Sequence, residues 1–127
     1  MIKVEHVAIW VKDLEKTRLF YEQYFGATSN QKYVNTTKGF SSYFLSWPEG
    51  ARLELMSRED VKGDYIGERL GWAHLALSVG GKETVDQLTE QLRIDGYTVV
   101  GEPRTTGDGY YESVVLDPEG NRIEITK

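Results

Sequence analysis

The chain writes one phrase twice. "PEGARLEL" runs from Pro48 to Leu55, and seventy residues later "PEGNRIEI" runs from Pro118 to Ile125. At the same offset Gly26 meets Gly96, Thr28 meets Thr98, Thr36 meets Thr106, Gly39 meets Gly109 and Phe40 meets Tyr110. Upstream, "HVAIWV" from His6 lies over "HLALSV" from His74 at an offset of 68, so one two-residue length difference between Val11 and Gly26 reconciles the two. A repeat of this period constrains the fold strongly, because each copy must be the same supersecondary unit. The expected organisation is a single domain over 1–127. It comprises a module at 1–57, a charged, glycine-containing linker at 58–69 and a module at 70–127.

Each copy carries the same succession of signals. A strand comes first, within "KVEHVAIWV" and "WAHLALSV", rich in β-branched and aliphatic residues. A helix follows. In the first copy Asp13 can cap it, Leu14, Thr17, Tyr21 and Tyr24 form its stripe, and Gly26 ends it. In the second, Gly81 opens it, Val85, Leu88 and Leu92 form the stripe, and Gly96 ends it. Three strands are expected next, near 28–36, 40–47 and 51–57, with counterparts near 97–104, 109–116 and 121–126. "WPEG" and "DPEG" supply the last turns, with Pro early and Gly where φ turns positive. The fold class is therefore α+β: two tandem βαβββ modules forming a curved mixed sheet, with helices on the outer face.

Strand alternation then sorts the side chains. Val7, Ile9 and Val11 share one face of the first strand, opposite Val4, His6, Ala8 and Trp10. Leu75, Leu77 and Val79 oppose His74, Ala76 and Ser78. Leu53 and Leu55 oppose Arg52, Glu54 and Met56, and Ile123 and Ile125 oppose Arg122, Glu124 and Thr126. The unbroken aliphatic rows are natural seats for the helices. His6, Glu54, His74 and Glu124 then all lie on the other side, where the sheets can curve around a cleft. Two bare carboxylates about 4 Å apart repel by roughly 4 kcal/mol at an effective dielectric of about 20. A divalent cation reverses that sign, and His with carboxylate is an ordinary ligand set for Zn, Ni, Co or Fe. The chain has two histidines, both at one equivalent repeat position.

Other classes find little support. The net charge of −5 gives no basic footprint for nucleic acid. With no cysteine there is neither a disulfide frame nor a thiolate ligand or nucleophile. Charges break the N-terminal stretch too early for a signal peptide, and no apolar run is long enough to span a bilayer, so a cytoplasmic location without membrane contact is the expectation. "GGKET" at Gly80–Thr84 lacks the spacing of a phosphate loop and is explained by a strand-to-helix turn. Trp10 shares the face of His6 and is a candidate pocket wall. In "TGDGYYES", Asp108 and Gly109 make a hairpin turn, and alternation turns one of Tyr110 and Tyr111 toward the cleft.

The segments "HVAIWVKDLEKTRLFYEQYFG", "LELM", "HLALSV" and above all "DPEGNRIEI" resemble the vicinal oxygen chelate superfamily over essentially the whole chain. That superfamily includes glyoxalase I, extradiol dioxygenases, methylmalonyl-CoA epimerase and fosfomycin- and bleomycin-resistance proteins. The resemblance implies metal ligands at His6, Glu54, His74 and Glu124. Dioxygenases and fosfomycin thiol transferases of the family use two His and one Glu, the epimerase resembles a set with Gln at one position, and bleomycin-binding members usually lack the set. Four ligands of the order His, Glu, His, Glu resemble glyoxalase I, which isomerises the thiohemiacetal of a 2-oxoaldehyde to a 2-hydroxyacyl thioester.

The implied cofactor is a divalent ion, Ni, Zn or Co first, with Fe(II) or Mn as further options. The ion would offset the charge of an enediolate, and Glu124 or Glu54 would carry the proton between adjacent carbons. An epimerase, a ring-cleaving dioxygenase and a non-catalytic drug- or metabolite-binding protein are the alternatives. Small bacterial glyoxalase I enzymes hold glutathione with an Arg on the first strand and an Asn after the first Glu. Trp10 and Arg58 stand near those places here, so altered thiol contacts are expected, with Arg58 or Arg104 as possible carboxylate partners. A small-molecule substrate and a homodimer complete the expectation.

Overall fold

The structure, a computed structural model, describes residues 1–63 and 67–127. The chain divides into two compact units, Met1–Asp64 and Tyr65–Lys127. Residues 64–66 of the expected linker lie outside the described residues.

The first unit runs β1 (His6–Trp10), α1 (Leu14–Phe25), β2 (Thr28–Ser29), β3 (Tyr33–Asn35), β4 (Phe40–Ser46) and β5 (Arg52–Arg58). Its sheet has the order β1-β5-β4-β2, with β3 also pairing β4. β1 and β5 are parallel, and β4 and β5 antiparallel. The second unit runs β6 (Leu75–Ser78), α2 (Lys82–Ile94), β7 (Val99–Thr105), β8 (Tyr111–Leu116) and β9 (Arg122–Thr126), with sheet order β6-β9-β8-β7. β6 and β9 are parallel, β8 and β9 antiparallel. Both units are thus mixed sheets carrying one helix, an α+β architecture.

The helices begin and end for different reasons. Asp13 accepts the Lys16 amide at 3.0 Å, and Gly26 closes α1 in the left-handed region with φ 66. Gly81 offers no side chain to cap α2. The buried stripe of α1 is Leu14, Thr17, Phe20 and Tyr21, so Phe20 takes the place expected of Tyr24, which is half-buried. In α2 the buried residues are Val85, Thr89 and Leu92, with Leu88 half-buried. Thr89 tolerates this because its hydroxyl bonds both the Val85 carbonyl and Ser113 on β8. Each helix seats on the aliphatic row. Leu45, Leu53 and Leu55 are buried in the first unit, and Val115, Ile123 and Ile125 in the second. Full burial of such a side chain contributes about 1.5–3 kcal/mol.

Four expected features come out differently. The strand expected at 28–36 is two short strands. Between them the Asn30 side chain accepts the Phe44 amide at 2.8 Å, standing in for a backbone partner and breaking the ladder. The strand within "KVEHVAIWV" starts only at His6, and that within "WAHLALSV" only at Leu75. Arg58, expected in the linker, is the last residue of β5 and pairs with Phe40. Among the described residues no helix is long and apolar enough to cross a membrane.

Candidate metal centre

In the first unit, parallel pairing sets Ala8 beside Glu54, so His6 lies two residues back on the neighbouring strand and on the same face. His6 Nε2 lies 3.7 Å from Glu54 Oε1. The carboxylate side chain is 16% exposed and the imidazole 40%, so the pair opens outward through the histidine. The other ring nitrogen, Nδ1, lies 3.3 Å from Glu5 Oε2. Glu5 is clamped by Arg52, whose Nε donates to Oε2 at 3.0 Å and whose Nη2 donates to Oε1. That clamp holds the Glu5 carboxyl below the usual carboxylate value. Phe44, in register with Glu54, meets the His6 ring edge to face at 5.2 Å and carries the Arg52 guanidinium over its own face at 4.2 Å.

The second unit repeats the pair. Ala76 is in register with Glu124, His74 immediately precedes β6, and His74 Nε2 lies 3.1 Å from Glu124 Oε1. Here a further carboxyl intrudes. Glu112 on β8 is buried, on the face of Glu124, and shares a hydrogen bond with it. Burial raises the Glu112 pKa, the bond and charge of Glu124 raise it further, and the Arg104 guanidinium opposes the shift without reversing it. Sequence reasoning passed over Glu112. Its repeat counterpart is Ser42, so a carboxyl replacing a serine ahead of the apolar run "SVVL" was the available signal. Thr126, opposite Glu112, keeps a buried hydroxyl without a partner among the described residues.

The remaining candidates separate. Trp10 lies on the His6 face of its sheet, half open, edge-on to Phe40 at 6.2 Å. Arg58 stacks over the Trp10 ring at 5.0 Å and is also paired with Asp60. Arg104 is in register with Glu112. Tyr110 is exposed. Tyr111 does not belong to the ligand face. It is in register with Thr105, its hydroxyl donates to Asp86 on α2 at 2.6 Å, and Lys82 of α2 sits 4.6 Å over its ring. β8 therefore turns Tyr111, Ser113 and Val115 toward the helix, and Glu112 and Val114 away from it.

Among the described residues no group of three or more His, Asp or Glu side chains gathers as a metal site; the donors stand as pairs. Each pair fits a divalent ion in the chemistry of its donors. Two ligands about 2.1 Å from one ion stand about 3.0 Å apart at a right angle and about 3.4 Å apart at a tetrahedral angle. The second pair lies within that range, and the first needs a contraction of a few tenths of an ångström at a half-exposed imidazole.

Two consecutive βαβββ units, each presenting a His–Glu pair on the sheet face opposite its helix, define a class of tandem-module proteins with duplicated donor sets. The chain belongs to the Glyoxalase/Bleomycin resistance protein/Dioxygenase superfamily, whose family model matches residues 3–125. It is 28% identical over 128 residues to the uncharacterised protein YqjT of Bacillus subtilis, covering 96% of both chains. It is 32% identical over 124 residues to the lactoylglutathione lyase GLX1 of Arabidopsis thaliana, covering 94% of this chain but only 42% of GLX1. Among solved structures, a possible glyoxalase from Bacillus cereus superposes with a TM-score of 0.76 at 26% identity, over the whole of both chains.

Proposed function

We propose that this chain is a divalent-metal-dependent enzyme of the glyoxalase I type, isomerising the thiohemiacetal of a 2-oxoaldehyde or a related small carbonyl adduct, with His6, Glu54, His74 and Glu124 as the ligands. The observation that carries the reading is the duplicated His–Glu pair, each on the face that its helix leaves open. The similarity to a lactoylglutathione lyase supports the reaction class. A bound ion supplies positive charge against the oxygens that become negative as the substrate loses its carbon-bound proton.

The rest falls to the side chains. The two imidazoles donate through Nε2. One of the two carboxylates, Glu54 or Glu124, takes the proton from the hydroxyl-bearing carbon and returns it to the neighbouring carbonyl carbon. One C–H bond breaks and another forms, the hydroxyl proton passes from its oxygen to the former carbonyl oxygen, and no oxidant or reductant is needed. Trp10, Phe40 and Phe44 give the His6 face an apolar surface for the substrate's hydrocarbon part. Arg58, stacked on Trp10, is a cation beside that surface for a thiol carrying a carboxylate. A homodimer is part of the proposal, and a single-chain mass by light scattering at micromolar concentration would count against it.

The test is metal analysis after gentle purification, followed by methylglyoxal with several thiols and each of Ni, Co, Zn and Fe(II). Activity lost in both Glu54→Gln and Glu124→Gln is expected. Inactivity with every combination of thiol and metal, or activity indifferent to both substitutions, would reject the glyoxalase reading.

A further inference from the structure

The two half-sites are not equivalent, and the difference lies behind the histidines. Resting on the metal reading above, we propose that Glu5 is a positioning residue: its carboxylate accepts the Nδ1–H of His6 and so presents His6 with a bare Nε2 toward Glu54.

The geometry is a chain of supports. Glu5 Oε2 lies 3.3 Å from His6 Nδ1. The same carboxylate is gripped by both arms of the Arg52 guanidinium, and the Arg52 amide donates to the Glu5 carbonyl at 2.9 Å. Arg52 in turn lies over Phe44, whose ring meets the His6 ring edge to face. The imidazole is therefore bounded by a hydrogen-bond acceptor on one side and an aromatic ring on another. A neutral imidazole carries one proton. If Nδ1 holds it, Nε2 is the lone pair, which is the form a metal needs. A carboxylate behind a ligating histidine fixes both the tautomer and the ring orientation.

The second unit has no such device in its sequence. The repeat counterparts of Glu5 and Phe44 are Ala73 and Val114. The counterpart of Arg52, Arg122, faces Glu68 instead, at 3.8 Å. His74 Nε2 lies against Glu124 at 3.1 Å, so before an ion binds, that carboxylate favours a proton on Nε2. The two histidines thus hold opposite tautomers in the metal-free protein. The first half-site is ready for an ion, and the second must release a proton to take one.

The test is long-range nitrogen–proton correlation NMR on the metal-free protein at alkaline pH, with His74 as internal reference. His6 should show the Nδ1–H form and His74 the Nε2–H form. Glu5→Ala should move His6 alone to the Nε2–H form, and Glu5→Gln, whose side-chain carbonyl still accepts, should restore the Nδ1–H form in part. Metal affinity, measured by competition with a chelating dye, should fall about tenfold or more in Glu5→Ala. His6 in the Nε2–H form in the wild type, or a Glu5→Ala variant that melts earlier with His6 unmoved, would overturn the proposal. A wild type that binds no metal yet shows the expected tautomers would overturn the metal reading and leave the action of Glu5 on His6 standing.

Discussion

His74 Nε2 stands 3.1 Å from Glu124 Oε1, whereas His6 Nε2 stands 3.7 Å from Glu54 Oε1. The same two residue types stand at equivalent repeat positions in each unit, in different local surroundings. Glu124 is approached by Glu112 from β8, and His6 is drawn toward Glu5.

If these pairs are the ligands, removing either glutamate weakens metal binding. Glu54→Gln and Glu124→Gln should each lose at least what the loss of an outer partner costs, about 10–100-fold. Dye competition reads the affinity. Retention of metal by both variants at the wild-type level would refute the assignment.

Glu112 gives the metal-free protein a pH signature. Its folded-state pKa is raised above the unfolded value, first by burial and then by Glu124. Its contribution to stability is therefore fully present below the ordinary carboxylate value and is lost as the pH rises through the raised one. Glu112→Gln should equal the wild type in acid and melt at a higher temperature at pH 8. Thermal melts across that range provide the measurement, and parallel curves would exclude the effect.

The buried hydroxyl pair behind β8 offers a cycle. Thr89 Oγ1 and Ser113 Oγ are 2.7 Å apart. Thr89→Val leaves the Ser113 hydroxyl buried without that partner, at a cost of about 1–3 kcal/mol. Adding Ser113→Ala should recover a good part of the loss, since an apolar pair replaces a half-satisfied one. Denaturant unfolding of the two single variants and the double variant checks it, and strict additivity would contradict it.

The caps of the two helices should respond unequally. Asp13→Ala removes the acceptor of the Lys16 amide and should cost about 1 kcal/mol. Gly81→Ala removes no side-chain cap, because none exists there, and its extended backbone with φ −171 accepts any residue. It should change stability by less than half as much in the same unfolding measurement.

Much of the site was present in the sequence because it depends on alternation. A strand sends successive side chains to opposite faces whatever surrounds it. The aliphatic rows of Leu53 with Leu55 and Ile123 with Ile125 therefore placed Glu54 and Glu124 on the opposite face without knowledge of the fold. The same rule could not choose between Tyr110 and Tyr111, because it needs a phase. Ser113, bonded to Thr89 on α2, sets that phase and carries Tyr111 to the helix side. Glu112 and Glu5 were missed for a different reason. Neither breaks a pattern within its own segment; each matters through a partner on another strand, Glu124 for one and Arg52, which clamps Glu5 beside His6, for the other.

The sequence by itself determined the repeat, the βαβββ order, the turns at "WPEG" and "DPEG", and the face on which each histidine and glutamate lies. These follow from local chemistry: backbone alternation, turn residues and the spacing of apolar side chains. Only the tertiary structure decided that Asn30 divides a strand, that Tyr111 belongs to the helix, that buried Glu112 lies on the face of Glu124 and that Arg52 clamps Glu5 beside His6. Each of these depends on strand register or on side chains meeting across elements. Those contacts form only when distant segments pair, so no local window of the chain contains them.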